Sequence, residues 1–278
     1  MDVIVAKTAG FCFGVKRAID IAFRIAAEKR KGVYTFGPII HNPQVVEKLR
    51  KKGIVPIERF SREKDIRALI IRTHGIPLQT SKEILSMGCE IIDATCPFVK
   101  KAQYYAKLLK EEGYQVVILG EENHPEVKSL MSYADDNAIV VNEKTPLSRL
   151  SRKIGLVVQT TQPLESLRKV LSEIVKHTKE LKVYNTICNS TALRLKETEK
   201  IAGKADVMFV VGGKNSANTT QLAKLCSSLS VPTYHIETAA EIKKKWIAHA
   251  GKVGITAGAS TPEWIIQEVE GRIRYIGG

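Results

Sequence analysis

The sequence predicts an α/β fold of three pseudo-equivalent small α/β domains with mainly parallel sheets around a central cavity, the N-terminal strand completing the third. Three observations carry that expectation. Short apolar runs alternate with helical patterns along all 278 residues. Cys12, Cys96 and Cys188 each close such a run and open a helix-like segment, at intervals of roughly 90 residues. Two further loops recur with the same period. One carries a glycine after a strand, in VYTFGPIIHNPQVV (33–46), VVILGEENHPEVKSL (116–130) and MFVVGGKNSANTTQL (208–222). The other ends near a proline, in LIIRTHGIP (69–77), GLVVQTTQP (155–163) and VGITAGASTP (253–262).

Each unit therefore runs first loop, second loop, cysteine loop. The third lacks a cysteine loop at its end, and DVIVAKTAGFC (2–12) supplies one if it returns to that sheet. The predicted domains are residues 13–96, 97–188 and 189–278, the last completed by 1–12. In chain order the strands fall at 2–6, 33–36, 68–72, 90–93, 116–119, 138–141, 155–159, 182–185, 207–211, 232–236 and 253–256. Most are β-branched and apolar on both faces, as buried parallel strands are. Helices are expected at 15–31, 43–52, 79–87, 97–112, 164–178, 190–203, 218–229, 238–246 and 262–274. Pro97 suits a first helical position, and Asn189 and Ser190 suit caps. In such sheets ligands bind beyond the carboxyl ends of the strands, where all these loops lie.

Composition narrows the class. With 44% hydrophobic residues the chain can bury a large core. No apolar run approaches a membrane span, and an N-terminus beginning MDVIVAKTAGFC predicts no signal peptide. Five widely spaced cysteines favour a reducing, cytoplasmic setting and metal or redox use over disulfides. Cys89 and Cys226 lack the loop context of the other three and are expected in the core. The formal charge of +14 invites a nucleic-acid reading, but its only short clusters are Lys29–Lys31, Lys51–Lys52 and Lys243–Lys245. No basic-aromatic stripe accompanies them, so the charge is read as solvated surface that attracts anionic substrates and acidic partners rather than nucleic acid.

A thiol at a helix N-terminus favours thiolate, the metal-binding form. Three converging thiolates would leave a metal centre one ligand short, and so open to substrate. His41, His74 and His124 lie in the repeated loops, where they can serve as metal ligands, acid–base groups or anion donors. None stands at short zinc-ligand spacing from a cysteine, so donation to an anion fits better. Thr73, Thr160, Thr161 and Ser260 in the second loops add small donors, as do Asn215, Ser216 and Asn218 in the first. Neither GxxxxGK[ST] nor GxGxxG occurs, so a phosphate pocket here has another design. Glu126, two residues after His124 and at the start of a helix, is a candidate proton donor whose pKa would rise beside a bound anion.

The segments AGFCFGVKRA, GPIIHNPQVV, RTHGIP, DATCP, ENHPEV, QTTQ, NTICNST, GGKNSANT and TAGAST together resemble the 4-hydroxy-3-methylbut-2-enyl diphosphate reductase (IspH/LytB) family, over residues 4 to 266. The resemblance implies reductive removal of an allylic hydroxyl, yielding isopentenyl and dimethylallyl diphosphates in the last step of the non-mevalonate pathway. It implies a [4Fe–4S] cluster on Cys12, Cys96 and Cys188, with one open iron that takes the substrate hydroxyl. The carry-over places the diphosphate on His41, His74, His124, Ser216, Asn218 and Ser260. It gives the proton relay to Glu126, with Thr160 near the reacting hydroxyl; adjacent Thr161 leaves that match ambiguous. Ala217 departs from the pattern, standing where some relatives have a serine that can contact the diphosphate; the departure bears on one hydrogen bond and not on the activity. The family's electron donor is ferredoxin or flavodoxin. Rival readings are a three-domain iron–sulfur dehydratase of the quinolinate synthase type, separated by electron consumption, and a basic iron–sulfur nucleic-acid-binding protein, separated by salt-dependent binding.

Overall fold

The computed structural model describes residues 1–28, 31–59, 65–134, 138–145 and 150–278. Strand β1 (Asp2–Val5) leads to helix α1 (Phe13–Ala27), followed by β2 (Val33–Phe36), α2 (Pro43–Arg50), β3 (Val55–Ile57), β4 (Ala68–Ile71), α3 (Leu78–Ser86) and β5 (Glu90–Asp93). Helix α4 (Pro97–Glu111) opens the next stretch, with β6 (Gln115–Leu119), α5 (Pro125–Tyr133), β7 (Ile139–Val141), β8 (Lys153–Val158), α6 (Leu164–Ile174) and β9 (Glu180–Tyr184). Then come α7 (Asn189–Ala202), β10 (Val207–Val211), α8 (Ala217–Ser228), β11 (Thr233–Ile236), β12 (Lys252–Ala257) and α9 (Glu263–Gly277).

The strands form three four-stranded sheets, ordered β3-β2-β4-β5, β7-β6-β8-β9 and β11-β10-β12-β1. Every described pairing is parallel. Numbered within a sheet, the order is second, first, third, fourth each time. The fourth place in the last sheet is taken by β1, in register Asp2 to Lys252 through Val5 to Ile255, so the N-terminal strand does complete that sheet. We propose that residues 13, 97 and 189 begin three copies of this one unit. Chain order reverses between the first and third strands, β2/β4, β6/β8 and β10/β12, and such a switch point opens a crevice at the strands' carboxyl ends.

Two-sided burial explains the apolar strands. In the middle sheet Val116, Ile118 and Val157 meet α4 and α5 through Ala102, Ala106, Leu109, Val127 and Leu130. The alternate residues Val117, Leu119 and Val158 meet Leu167, Val170 and Ile174 of α6 on the other face. In the last sheet Phe209 and Ile255 pack with Ile265, Val269 and Ile273 of α9, while Met208 and Val210 pack with Ile201, Leu222 and Cys226. The chain divides into two compact units: Met1–Lys16, Ile40–Lys48 and Asn189–Gly278 form one, and Arg17–Ile39 with Leu49–Cys188 the other.

Three expectations need correction. Strand β3 was absent from the sequence pattern, because VPI is short and Pro56 obscures an edge strand. The helix expected at 238–246 is two 3-10 turns, Ala239–Glu241 and Lys244–Trp246. The extended Ile242 between them is buried with Ile247 in the core, which a continuous helix would not allow. Asn189 is the first helical residue of α7 rather than its cap. Residues 29–30 of the basic cluster Lys29–Lys31, and of the helix expected at 15–31, lie outside the described residues. Among the described residues no helix is long and apolar enough to cross a membrane.

Candidate active site

The three cysteine loops share one backbone contact. The N–H of Cys96 donates to Thr73 O at 3.0 Å, that of Cys188 to Thr160 O at 2.9 Å and that of Cys12 to Ala259 O at 3.4 Å. Thr73, Thr160 and Ala259 each stand two residues beyond the third strand of their sheet. The same bond therefore docks each cysteine against its second loop. The first loops repeat too: the N–H groups of Gly37, Gly120 and Gly212 donate to Ile57, Val141 and Ile236 at 2.8, 3.0 and 2.9 Å. Cys96 caps α4, with Pro97 at the first helical position, and Lys16 N–H and Lys100 N–H close turns onto Cys12 O and Cys96 O. The three loop thiols are partly exposed, whereas Cys226 is buried. Burial pushes the Cys226 thiol up to about 11, out of reach of ready deprotonation. Cys89 packs at the margin of the first sheet's core.

In the unit holding the first two sheets, His124 caps α5, its Nδ1 accepting from Glu126 N–H at 3.2 Å. An accepting Nδ1 puts the neutral ring's proton on Nε2, leaving that edge as a donor. His74 meets His124 edge to face, with ring centroids 5.3 Å apart. Glu126 is 1% exposed. Its Oε1 accepts from Thr160 N–H at 2.7 Å and its Oε2 from the Thr160 hydroxyl at 2.9 Å. Burial raises its pKa to about 7, against the pull of the two Thr160 bonds. Desolvation alone thus achieves what the sequence reading assigned to a neighbouring anion. Thr161 instead accepts from Gln159 Nε2 at 3.1 Å, so it is Thr160 that meets Glu126.

In the other unit the Ser260 hydroxyl lies 3.3 Å from His41 O and 3.4 Å from Ser216 Oγ. Ser216 caps α8 and Asn218 Oδ1 accepts from Ala259 N–H at 3.1 Å. Asn42, His124 and Ser216 occupy one structural position, each capping its helix by accepting a backbone N–H. Two residues on, Gln44, Glu126 and Asn218 correspond. One scaffold position thus carries a carboxyl in only one of its three copies.

Sequence reasoning missed the braces behind these loops. Buried Arg194 on α7 donates to Thr8 O, to Ala257 O at 2.8 Å and to Gly10 O at 3.0 Å, pinning the Cys12 loop. Buried Gln103 on α4 donates to Ser129 Oγ at 2.7 Å, which donates to Ile76 O at 3.0 Å, holding the loop after His74. The available signal was polar residues at apolar spacing, as in Thr191, Arg194 and Thr198 on one helical ridge.

Fold and site define a class: a parallel α/β protein of three like sheets, each with a cysteine at a helix start beside its switch point. The chain matches the family described as LytB protein over residues 3–274 and belongs to that family. It is 50% identical to the 4-hydroxy-3-methylbut-2-enyl diphosphate reductase of Pelobacter propionicus, over 99% of each chain. It is 48% identical to the protein of that name from Geobacter sp. strain M21, over 99% of this chain and 98% of the relative. A solved (E)-4-hydroxy-3-methyl-but-2-enyl diphosphate reductase, the terminal enzyme of the non-mevalonate pathway, matches at 44% identity and TM-score 0.71, over 99% of this chain and 100% of that one. The E-1-hydroxy-2-methyl-but-2-enyl-4-diphosphate reductase of Plasmodium falciparum matches at 27% identity and TM-score 0.90, over 97% and 87%.

Proposed function

We propose that this LytB-family chain is a 4-hydroxy-3-methylbut-2-enyl diphosphate reductase holding a [4Fe–4S] cluster on Cys12, Cys96 and Cys188. The repeated cysteine-loop contact carries the reading: three partly exposed thiols, each docked the same way, suit thiolate ligation, and core Cys226 does not. Such a cluster supplies electrons and, having three protein ligands for four irons, one open coordination position. The reaction consumes two electrons and two protons, releasing the allylic hydroxyl as water and yielding isopentenyl or dimethylallyl diphosphate.

The chain's own groups do the rest. Burial has raised the pKa of Glu126 to about 7, so it can both take up and release a proton near neutral pH, and Thr160 orients the carboxyl through both oxygens. His41, His74, His124, Ser216, Asn218 and Ser260 hold the diphosphate, chiefly through neutral donors. Ala217 offers no hydroxyl to it. An acidic one-electron carrier, ferredoxin or flavodoxin, delivers the electrons, and the cytoplasm keeps the thiols reduced. Anaerobic reconstitution, iron and sulfide counts, and an assay with the allylic diphosphate test the reading. Two electrons consumed per product are expected; product without electron consumption would make the protein a dehydratase instead.

A further inference from the structure

We propose that the outer face of α4, with the cavity beside it, is the docking surface for an acidic one-electron carrier protein; this rests on the function proposed above. The helix starts on Cys96 and carries Lys100, Lys101, Lys107 and Lys110 with no acidic residue before Glu111. Its aligned peptide dipoles add positive potential at the cysteine end. Tyr104 is 60% exposed and Phe98 38%, giving a basic stripe the large apolar contacts that protein interfaces use. Asp93 pairs with Lys100 at 2.6 Å and Glu111 with Lys107 at 3.5 Å, so part of the charge is answered locally. Lys101 lies over the Tyr105 ring, 5.8 Å from its centroid.

Beside the stripe lies a cavity of about 330 Å³ whose walls include Asp93, Thr95, Lys100, Tyr104, Lys107 and Tyr133, with Asp93 answered by Lys100. Thr95 immediately precedes Cys96, so the cavity reaches the cysteine loop. Tyr105 stacks on Tyr184, centroids 3.9 Å apart, and Tyr184 ends β9, whose following loop carries Cys188. The face thus flanks two cysteine loops. At 1.5 Å per residue Tyr104 is about 12 Å along the helix axis from Cys96. A carrier seated there passes one electron per encounter, so two reduced carriers are oxidised for each hydroxyl released as water. A small, charged and transient contact suits such exchange.

The test uses the cluster-loaded protein and an acidic [2Fe–2S] ferredoxin. Its binding is measured by calorimetry, and its support of turnover is compared with that of reduced methyl viologen. Lys101→Glu with Lys107→Glu is expected to weaken ferredoxin binding about tenfold or more at low ionic strength, and to lose that difference near 1 M salt, where screening acts within about 3 Å. Viologen-driven turnover should be unchanged. Lys200→Glu on α7 with Lys224→Glu on α8, a matched change of net charge, should alter binding by less than about twofold. Unaltered ferredoxin binding in the α4 variant, or an equal loss in the Lys200→Glu, Lys224→Glu control, overturns the docking face alone. No viologen-driven turnover in the parent overturns the function, and the docking face with it.

Discussion

Glu126 shows how one residue's chemistry is set by its surroundings. A carboxyl with an ordinary pKa of 4.5 is raised to about 7 because it is taken out of water. Between those values the folded state keeps a proton that the unfolded chain releases, so its stabilising effect is complete below pH 4.5 and lost as pH rises through 7. The full effect is about 3 kcal/mol. Glu126→Gln has no such ionisation, so by urea unfolding it should gain on the parent by up to that amount between pH 5 and pH 8. The same variant should bind its cluster yet turn over about 10²–10⁴-fold more slowly, the usual worth of a general acid. Parent-like turnover at equal iron content would assign the proton to another group. Thr160→Val removes a bond that pulls the carboxyl's pKa down, so the alkaline limb of the pH–rate profile, where Glu126 loses its proton, should move to higher pH.

At the scale of elements, the strand-end turns determine what the loops can present. Cys12→Ser, Cys96→Ser and Cys188→Ser should each abolish reconstitution, read as iron and sulfide per chain, while Cys89→Ser and Cys226→Ser should retain the parent content. A stable four-iron cluster in Cys188→Ser would sink the assignment. Gly75 turns the loop after His74 at φ +71°, and a Cβ there would lie 2.5 Å from Gln103 Nε2. Gly75→Ala should therefore cost about 2–4 kcal/mol, from left-handed strain plus a damaged buried hydrogen bond. Denaturant unfolding measures it, and a cost below about 0.5 kcal/mol, typical of a neutral surface change, would show that the loop relaxes freely. Arg194→Lys leaves a point donor where a planar fork served three carbonyls. It should lower both stability and iron retention, and unaltered iron loss under chelator would remove its bracing role.

For the molecule as a whole, three copies of one sheet carry unlike side chains at matching positions, so functions divide among copies. The proposed diphosphate ligands are histidines and small donors rather than lysines, despite a net charge of +14. His41→Phe and His124→Phe should each weaken substrate binding by about 10- to 150-fold, the worth of a hydrogen bond to a charged group. Calorimetry on the loaded protein checks this, and parent-like affinity in both would misplace the pocket. Much of this was legible beforehand because parallel strands buried on two faces, as in MFVV before Gly212, read as continuous apolar runs. Edge strand β3 and the 3-10 turns escaped, being short and fixed by pairing with β2 and by the burial of Ile242.

The sequence by itself determined the alternating elements, the three-fold recurrence of loops and the placing of three cysteines at strand-end, helix-start turns, apart from core Cys226. These are local properties: burial period, turn residues and helix starts act over a few neighbours. Only the tertiary structure decided the register in which β1 joins β12, that Thr160 rather than Thr161 holds Glu126, and that Arg194 and Gln103 brace the loops. It also decided that Glu126 is buried, which raises its pKa to about 7. Such facts join residues as far apart as Thr8 and Arg194, or Glu126 and Thr160. Hydrogen bonding and desolvation depend on distance in space, which composition and spacing along the chain do not encode.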